Sequence, residues 1–286
     1  MVSHHPGPDF GTNLAALRAQ VGGVLVVDNG SGPVLAERLE AWRAGGGEAL
    51  FNEVNLGIAT ALNQGVAWAR SRGYAWIATF DQDSCVTPGM FVALGEALAA
   101  APRQDRVAII APRLRDVRAG TFHSFAKAAV RDAAPFSEVR LLATSGNVIP
   151  LCVFDDVGTY REDFFIDYVD QEFCLRCRRR GWVLLESRDA VLDHRYGQPT
   201  RHRLAWMRPL VTNHAATRRY YQARNRLVVY RRHADFDPRW VWDDLREFLR
   251  DAVKIVLFEQ QRAEKLRAIL RGTWHGLRGR LGPAGT

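Results

Sequence analysis

WIATFDQDS, residues 76–84, is an apolar and aromatic run that stops on Asp81-Gln82-Asp83. Its length and composition predict a buried strand, and such a strand has no packing use for two carboxylates at its end. Before it, LGIATALNQGVAWARSRG (56–73) has helical spacing and closes on Arg and Gly. After it, TPGMFVALGEALAAAP (87–102) predicts a helix with Thr87 as N-cap and Pro88 in the first position. GVLVVDNGS (23–31), EALFNEV (48–54) and RVAIIAPRL (106–114) predict further strands, with PVLAERLEAWRAGGG (33–47) as a helix between the first two. Strands and helices alternating through short connections predict right-handed crossovers and an α/β fold with a mostly parallel central sheet.

In such a sheet, ligands bind beyond the carboxyl ends of the strands. Asp28-Asn29-Gly30-Ser31 and Asp81-Gln82-Asp83 both end strands and are expected to face one crevice. Two aspartates one residue apart can share a hard divalent cation whose other positions go to phosphate oxygens and water. A capping turn before 87–102 is the competing reading, but Thr87 can fill that task. His194, after VLLESRDAVLDHRYG (183–197) begins as a strand pair or strand–turn, is either structural or a third ligand. An imidazole ligand suits Mn²⁺ better than Mg²⁺.

VRLLATSGNVIP (139–150) predicts a strand broken at Ser145-Gly146-Asn147, and TFHSFAKAAV (121–130) another strand in a loop-rich stretch. A helix is expected from Asp170, with Glu172 in its first turn, Arg176 to Arg180 in its last and Gly181 after its end, in accord with the helix dipole. As an N-cap, Asp170 would accept backbone N–H bonds, which lower its basicity. As a general base it needs an unspent oxygen. Asp163, Asp167 and Glu172 are rivals for that role. Cys174 and Cys177 form a CxxC inside the helix, with no second ligand pair nearby for zinc, and are expected to be ordinary helix residues.

The 286 residues carry a net charge of +8. Residues 201 to 286 hold nineteen Lys and Arg against eight Asp and Glu, so the basic character belongs to that helical, amphipathic segment. It would suit anionic lipid, a phosphorylated substrate or nucleic acid, or be a solvated surface. Four scattered cysteines fit a reducing cytoplasm. No run approaches the ~20 apolar residues of a membrane span, and MVSHHPGPDF has neither the basic start nor the apolar core of a secretory leader. Only a few residues precede the first helical pattern, so the first strand is expected to be very short or to begin upstream of Met1.

These motifs, in this order, resemble the inverting nucleotide-sugar glycosyltransferases of family 2, and within them the rhamnosyltransferases of bacterial cell-surface polysaccharides. The resemblance runs from about residue 2 to 280. It implies a GT-A-type, Rossmann-like nucleotide-binding domain over 1–200, its first strand truncated, and a basic helical extension over 201–286. VSHHP resembles the tail of the first strand, which puts Ser3 at the nucleotide. VLVVDNGS and NLGIATALNQGVAWA put Asp28, Asn29, Asn55 and Gly57 on the donor side with Asp81. FDQDS and DHRYG supply a metal site of Asp81, Asp83 and His194 for Mn²⁺ or Mg²⁺. SGNVIP and FFIDYVDQEFCLR place Ser145, Gly146, Asn147 and Arg176 near the acceptor and make Asp170 the base, although Val169 stands where the family commonly has Glu. RRYYQARNRLVVYRR (218–232) is similar to the rhamnosyltransferase branch.

The resemblance implies a cytoplasmic enzyme, peripheral on the inner membrane face through its C-terminal helices. It would carry L-rhamnose from dTDP-rhamnose to a lipid-linked or polysaccharide acceptor, with no nucleic-acid partner. Galactofuranosyl and glucosyl donors are alternatives. A nucleotidyltransferase would need a Gly-rich triphosphate loop, which is not visible. A non-catalytic binding relative would tolerate Asp83→Asn, and an inactive fragment would regain activity when its start is extended upstream.

Overall fold

In a computed structural model, the protein is described over residues 1–123, 130–195, 200–201, 210–211 and 213–284. Most of the expected strand at 121–130 lies outside these residues. The chain forms two compact units, one of Met1–Glu162 with Val169–Arg195, the other of Asp163–Tyr168 with Tyr196–Thr286.

The first unit opens with β1 (Val2–Ser3), α1 (Phe10–Arg18), β2 (Leu25–Asn29), α2 (Pro33–Ala44) and β3 (Glu48–Asn52), the three strands being parallel in the order β1-β2-β3. All five residues of β2 are buried, as a run without alternation requires. After α3 (Ile58–Ser71) comes β4 (Trp76–Thr79), the strand of the DQD stretch. Val2 bridges in parallel to Asp81, and its N–H donates to the Phe80 carbonyl, so β1 lies beside the DQD turn.

The sheet then turns mixed. β5 (Ser84–Val86), α4 (Met90–Ala99) and β6 (Val107–Asp116) are followed by the short β7 (Thr121–His123), β8 (Arg131–Ala133) and β9 (Phe136–Val139). Next come β10 (Asn147–Pro150), α5 (Leu151–Val157), α6 (Val169–Arg179) and β11 (Val183–His194). Strand order is β4-β10-β6-β11-β9-β8. β11 runs parallel to β6, whereas β10 enters antiparallel between β4 and β6. The parallel reading therefore holds for the first strands and for β6–β11, and the remaining pairings are antiparallel.

Four local expectations differ. Within the 183–197 stretch, Val183–His194 form one long strand with an irregularity between Glu186 and Val191, rather than a strand pair or strand–turn, and residues 196 and 197 lie outside the described residues. Residues 139–150 belong to two strands, β9 and β10, parted by a loop. α5 was not anticipated; Pro150 precedes it, and Leu151, Val153, Phe154 and Val157 form its buried face. Thr87 does not cap α4: its hydroxyl donates to the Val191 carbonyl, and Gly89, at φ 76°, takes the N-cap position. The C-terminus of α6 is as expected. Gly181 at φ 81° closes it, with Gly181 N–H on the Arg178 carbonyl and Trp182 N–H on that of Cys177.

The second unit holds β12 (Thr200–Arg201), β13 (Leu210–Val211) and three helices, α7 (Ala216–His233), α8 (Pro238–Phe258) and α9 (Arg262–Leu277). α7 packs on α9, where Gly272 and Gly276 meet the Tyr220 and Arg224 backbone so closely that a Cβ would lie within 2.3 and 2.6 Å of a carbonyl oxygen. The basic count of this unit overstates its surface charge. Arg219, Arg224, Arg226 and Lys265 are buried, three of them in ion pairs with Glu259 or Asp244. Residues 163–168 are the most strained backbone here: Phe165, Asp167 and Tyr168 have φ of 66°, 61° and 64°. Such left-handed non-glycine residues cost on the order of 1–3 kcal/mol each.

Candidate functional site

Asp81, Asp83 and His194 come together. Each offers a ligand atom, and these atoms lie within 4.8 Å of one another. The fold explains why. β5 pairs antiparallel with the end of β11 and sets His194 opposite Ser84, one residue beyond Asp83. The His194 Nδ1 lies 2.8 Å from the Ser84 hydroxyl and 3.7 Å from Asp83 Oδ1. Ser84 is 2.7 Å from the Ser145 hydroxyl, which accepts the Asp81 backbone N–H at 3.1 Å. Both serines are buried. Two carboxylates and an imidazole, half-exposed above a polar floor, form a donor set that fits a divalent cation of the Mn²⁺ type.

Ser145, expected near the acceptor, supports the cluster through its bonds to Asp81 and Ser84. Gly146 has a structural task as well: at φ 88°, a Cβ there would approach Pro112 and Leu192 to 2.8–2.9 Å. Asn147 is buried, and its Oδ1 has no hydrogen-bond partner. Sequence reasoning does not single out Ser84, whose one local signal is its place directly after DQD. Ser145→Ala is expected to weaken Mn²⁺ binding on the order of 10- to 100-fold, as loss of a ligand-orienting group does, measured by calorimetric titration.

β1 lies beside the DQD turn and pairs with β2. Ser3 is paired in register with Asp28, both buried, and the Ser3 hydroxyl has no partner. Asp28 accepts from the Ser31 hydroxyl at 2.5 Å, and the Ser31 hydroxyl also accepts the His5 N–H. Gln82 is tied to the His4 backbone through both ends of its amide. The Asn29 amide donates to Asn55 Oδ1 and the Gly57 carbonyl, and its oxygen accepts from Leu56 N–H and Asn52. These bonds use its side-chain capacity and tie the end of β2 to the start of α3. Asn55 also accepts the N–H of Gly57, which begins α3 at φ 89°.

On α6, Asp170 is the second helical residue rather than the N-cap, and its Oδ1 accepts the Gln171 N–H at 2.9 Å. Two of its three rivals are committed elsewhere. Glu172 is buried against Arg176 at 2.8 Å. Asp167 pairs with Arg218, and burial raises its carboxyl above the usual range. Arg176 donates to Glu172 and to the Val157 and Thr159 carbonyls, and so braces α6. Burial first, then the Asp170 charge, push the Cys174 thiol up to about 12, which removes the CxxC from nucleophilic chemistry.

The parallel sheet β1–β3, the mixed sheet beside it and the acidic, histidine-bearing cluster after β4 and at the end of β11 make up a GT-A-type glycosyltransferase fold. The chain belongs to glycosyl transferase family 2, whose profile matches residues 11–154. Among curated proteins it is similar to the dTDP-rhamnosyl transferase RfbF of Shigella flexneri, 34% identical over 90 residues, which is 32% of this chain and 29% of that protein. Among solved structures it resembles GalNAc-T7 with UDP, GalNAc and Mn²⁺ (TM-score 0.55, 16% identity, 80% of this chain and 46% of that one). It also resembles S. aureus TarS 1–349 in complex with UDP-GlcNAc (TM-score 0.53, 13% identity, 98% and 90%). At these identities the structural likeness shows the fold. No helix among the described residues is long and apolar enough to cross a membrane.

Proposed function

We propose that this enzyme is an inverting glycosyltransferase that moves L-rhamnose from dTDP-rhamnose to a hydroxyl of a cell-surface polysaccharide or its lipid-linked precursor. The observation that carries the reading is the Asp81–Asp83–His194 cluster beside the Ser3–Asp28 crevice, in a chain of family 2. The similarity to RfbF favours the rhamnosyl donor. Asp81, Asp83 and His194 would hold Mn²⁺ or Mg²⁺, which when bound neutralises the donor diphosphate and makes it a better leaving group. Ser3 and Asp28 would receive the nucleoside, and Asn147 would face the acceptor. Asp170 takes the proton of the acceptor hydroxyl. That oxygen forms the new bond to the anomeric carbon from the face opposite the nucleotide, and the bond from that carbon to the diphosphate breaks. One carboxylate suffices, because no separate acid must protonate the leaving group.

Thermal melting against nucleoside diphosphates and nucleotide sugars, with and without Mn²⁺, tests this. A metal-dependent shift with a thymidine nucleotide, absent in Asp83→Asn, is the expected result. A shift with a uridine or guanosine nucleotide alone would remove the rhamnosyl donor, and no shift with any of them would remove the transferase reading.

The same reading sets the enzyme in the cytoplasm, against the inner membrane face where a lipid-linked acceptor is presented. Support comes from α9: Leu270, Trp274 and Leu277 recur at helical spacing and are 70%, 51% and 52% exposed, next to exposed Arg267, Arg271 and Arg278. Leu270→Asp with Leu277→Asp should reduce sedimentation with phosphatidylglycerol vesicles about tenfold or more, since burial of each leucine contributes roughly 1.5–3 kcal/mol.

A further inference from the structure

The loop 4–9, which joins β1 to α1, is held by residues that adjoin the candidate site. At its start, the His4 N–H donates to Gln82 Oε1 at 2.7 Å, and the His4 carbonyl accepts from Gln82 Nε2 at 3.1 Å. Gln82 stands between Asp81 and Asp83, and its own carbonyl accepts from the buried Asn13 of α1 at 3.0 Å. His4 also donates through Nδ1 to the Asn29 carbonyl at 2.9 Å. The His5 N–H donates to the Ser31 hydroxyl, which is bonded in turn to Asp28. At the end of the loop, Asp9 pairs with Arg195, the residue after His194. The Arg195 N–H reaches the Asp83 carbonyl at 3.4 Å.

One loop is thus fastened to the neighbour of each residue in the Asp81–Asp83–His194 cluster and to the end of β2 that carries Asp28. Its path is a constrained one. His5 lies at φ 48°, which a residue other than glycine keeps only where its surroundings impose it. The parallel bridge of Val2 to Asp81 brings β1 to the DQD turn, and beyond that point the Gln82 side chain continues the connection. A cation that fixes the three ligands relative to one another also fixes the backbone of Gln82 and Arg195, and through them both ends of the loop.

We propose that Gln82 and Arg195 are positioning residues that tie loop 4–9 to the cation cluster, so that the cation and the nucleoside part of the donor strengthen each other's binding without sharing a phosphate. The inference rests on the reading of Asp81, Asp83 and His194 as the cation site and of Ser3 and Asp28 as the nucleoside site. Such a coupling is reciprocal: each ligand raises the affinity for the other by the same factor.

The test uses the full chain as wild type, Gln82→Ala and Arg195→Met, the arginine being half-exposed. Mn²⁺ is titrated calorimetrically with and without thymidine, uridine or guanosine, and each nucleoside with and without Mn²⁺. A nucleoside carries no phosphate through which the cation can hold it directly. In the wild type, Mn²⁺ should tighten one nucleoside about 5- to 10-fold, and that nucleoside should tighten Mn²⁺ equally. Gln82→Ala should bring this factor below about twofold while the affinity for each ligand alone changes less than about threefold, and Arg195→Met should lower it partway. Hydrogen exchange over 4–9 should slow when Mn²⁺ alone is added to the wild type, and not in Gln82→Ala. A wild-type factor near one, a factor unchanged in both variants, or exchange over 4–9 that ignores Mn²⁺ overturns the proposal. So does a Gln82→Ala protein that loses affinity for each ligand alone and keeps the factor, since that is damage to the sites and not loss of the tie. Mn²⁺ binding is read by itself, so its absence in the wild type removes the cation reading and the coupling together. Mn²⁺ binding with a factor near one removes only the coupling.

Discussion

Asp170→Asn should lower nucleoside diphosphate release by about 10²- to 10⁴-fold, the usual contribution of a general base, and leave the Mn²⁺-dependent melting shift of the donor intact. The asymmetry follows from the separation of tasks. The side chain of Asp170 takes no part in the Asp81–Asp83–His194 cluster, so donor and cation binding do not depend on it. Asparagine keeps the size and can still accept the Gln171 N–H, so α6 keeps its first turn. What is lost is the capacity to take a proton. An Asp170→Asn enzyme retaining a tenth or more of the wild-type rate would exclude this residue and return attention to Asp163. Glu172 and Asp167 are already held in ion pairs.

The second large effect is on stability. Glu259 is buried between two buried cations, with Arg219 at 2.8 Å on one oxygen and Lys265 at 2.7 Å on the other. Glu259→Gln keeps the shape and removes the charge, leaving an arginine and a lysine inside the helical unit without their shared counter-ion. Breaking such a buried arrangement from one side costs about 3–5 kcal/mol. Urea unfolding followed by far-UV circular dichroism should show the midpoint of the second unit moving down. Replacing all three residues with apolar ones of similar volume should restore much of the loss, because the desolvation of all three charges is then avoided. A Glu259→Gln protein as stable as the wild type would mean that water reaches the triad.

Much of the first unit is legible in the sequence because its signals are local. The apolar run of 25–29 and the amphipathic pattern of 58–71 each carry their own period, and the crossover rule joins them. The DQD turn and His194 are legible as residue types with chemistry to do, although they lie more than a hundred positions apart. What brings them together, the pairing of β5 with β11, leaves no mark in either segment alone. Antiparallel insertion of β10 is hidden for the same reason. The internal bonds of Asn29, Ser145 and Arg176 are hidden for the same reason, because their partners lie in other segments. Likewise, the sequence does not tell buried from surface charge in the C-terminal segment, because burial of Arg219, Arg224 and Lys265 depends on acids and carbonyls contributed from elsewhere.

The division of the chain has a consequence for modularity. The second unit takes six residues, Asp163–Tyr168, from the middle of the first, so the polypeptide passes between the units three times before it ends. The C-terminal helices are thus not an appendage that recombination could trim or exchange at one joint. A foreign replacement would have to supply, at matching positions, groups able to receive a loop it did not evolve with. Variation in this segment among relatives built this way should therefore accumulate by point substitution within α7–α9 rather than by wholesale exchange of the helical segment.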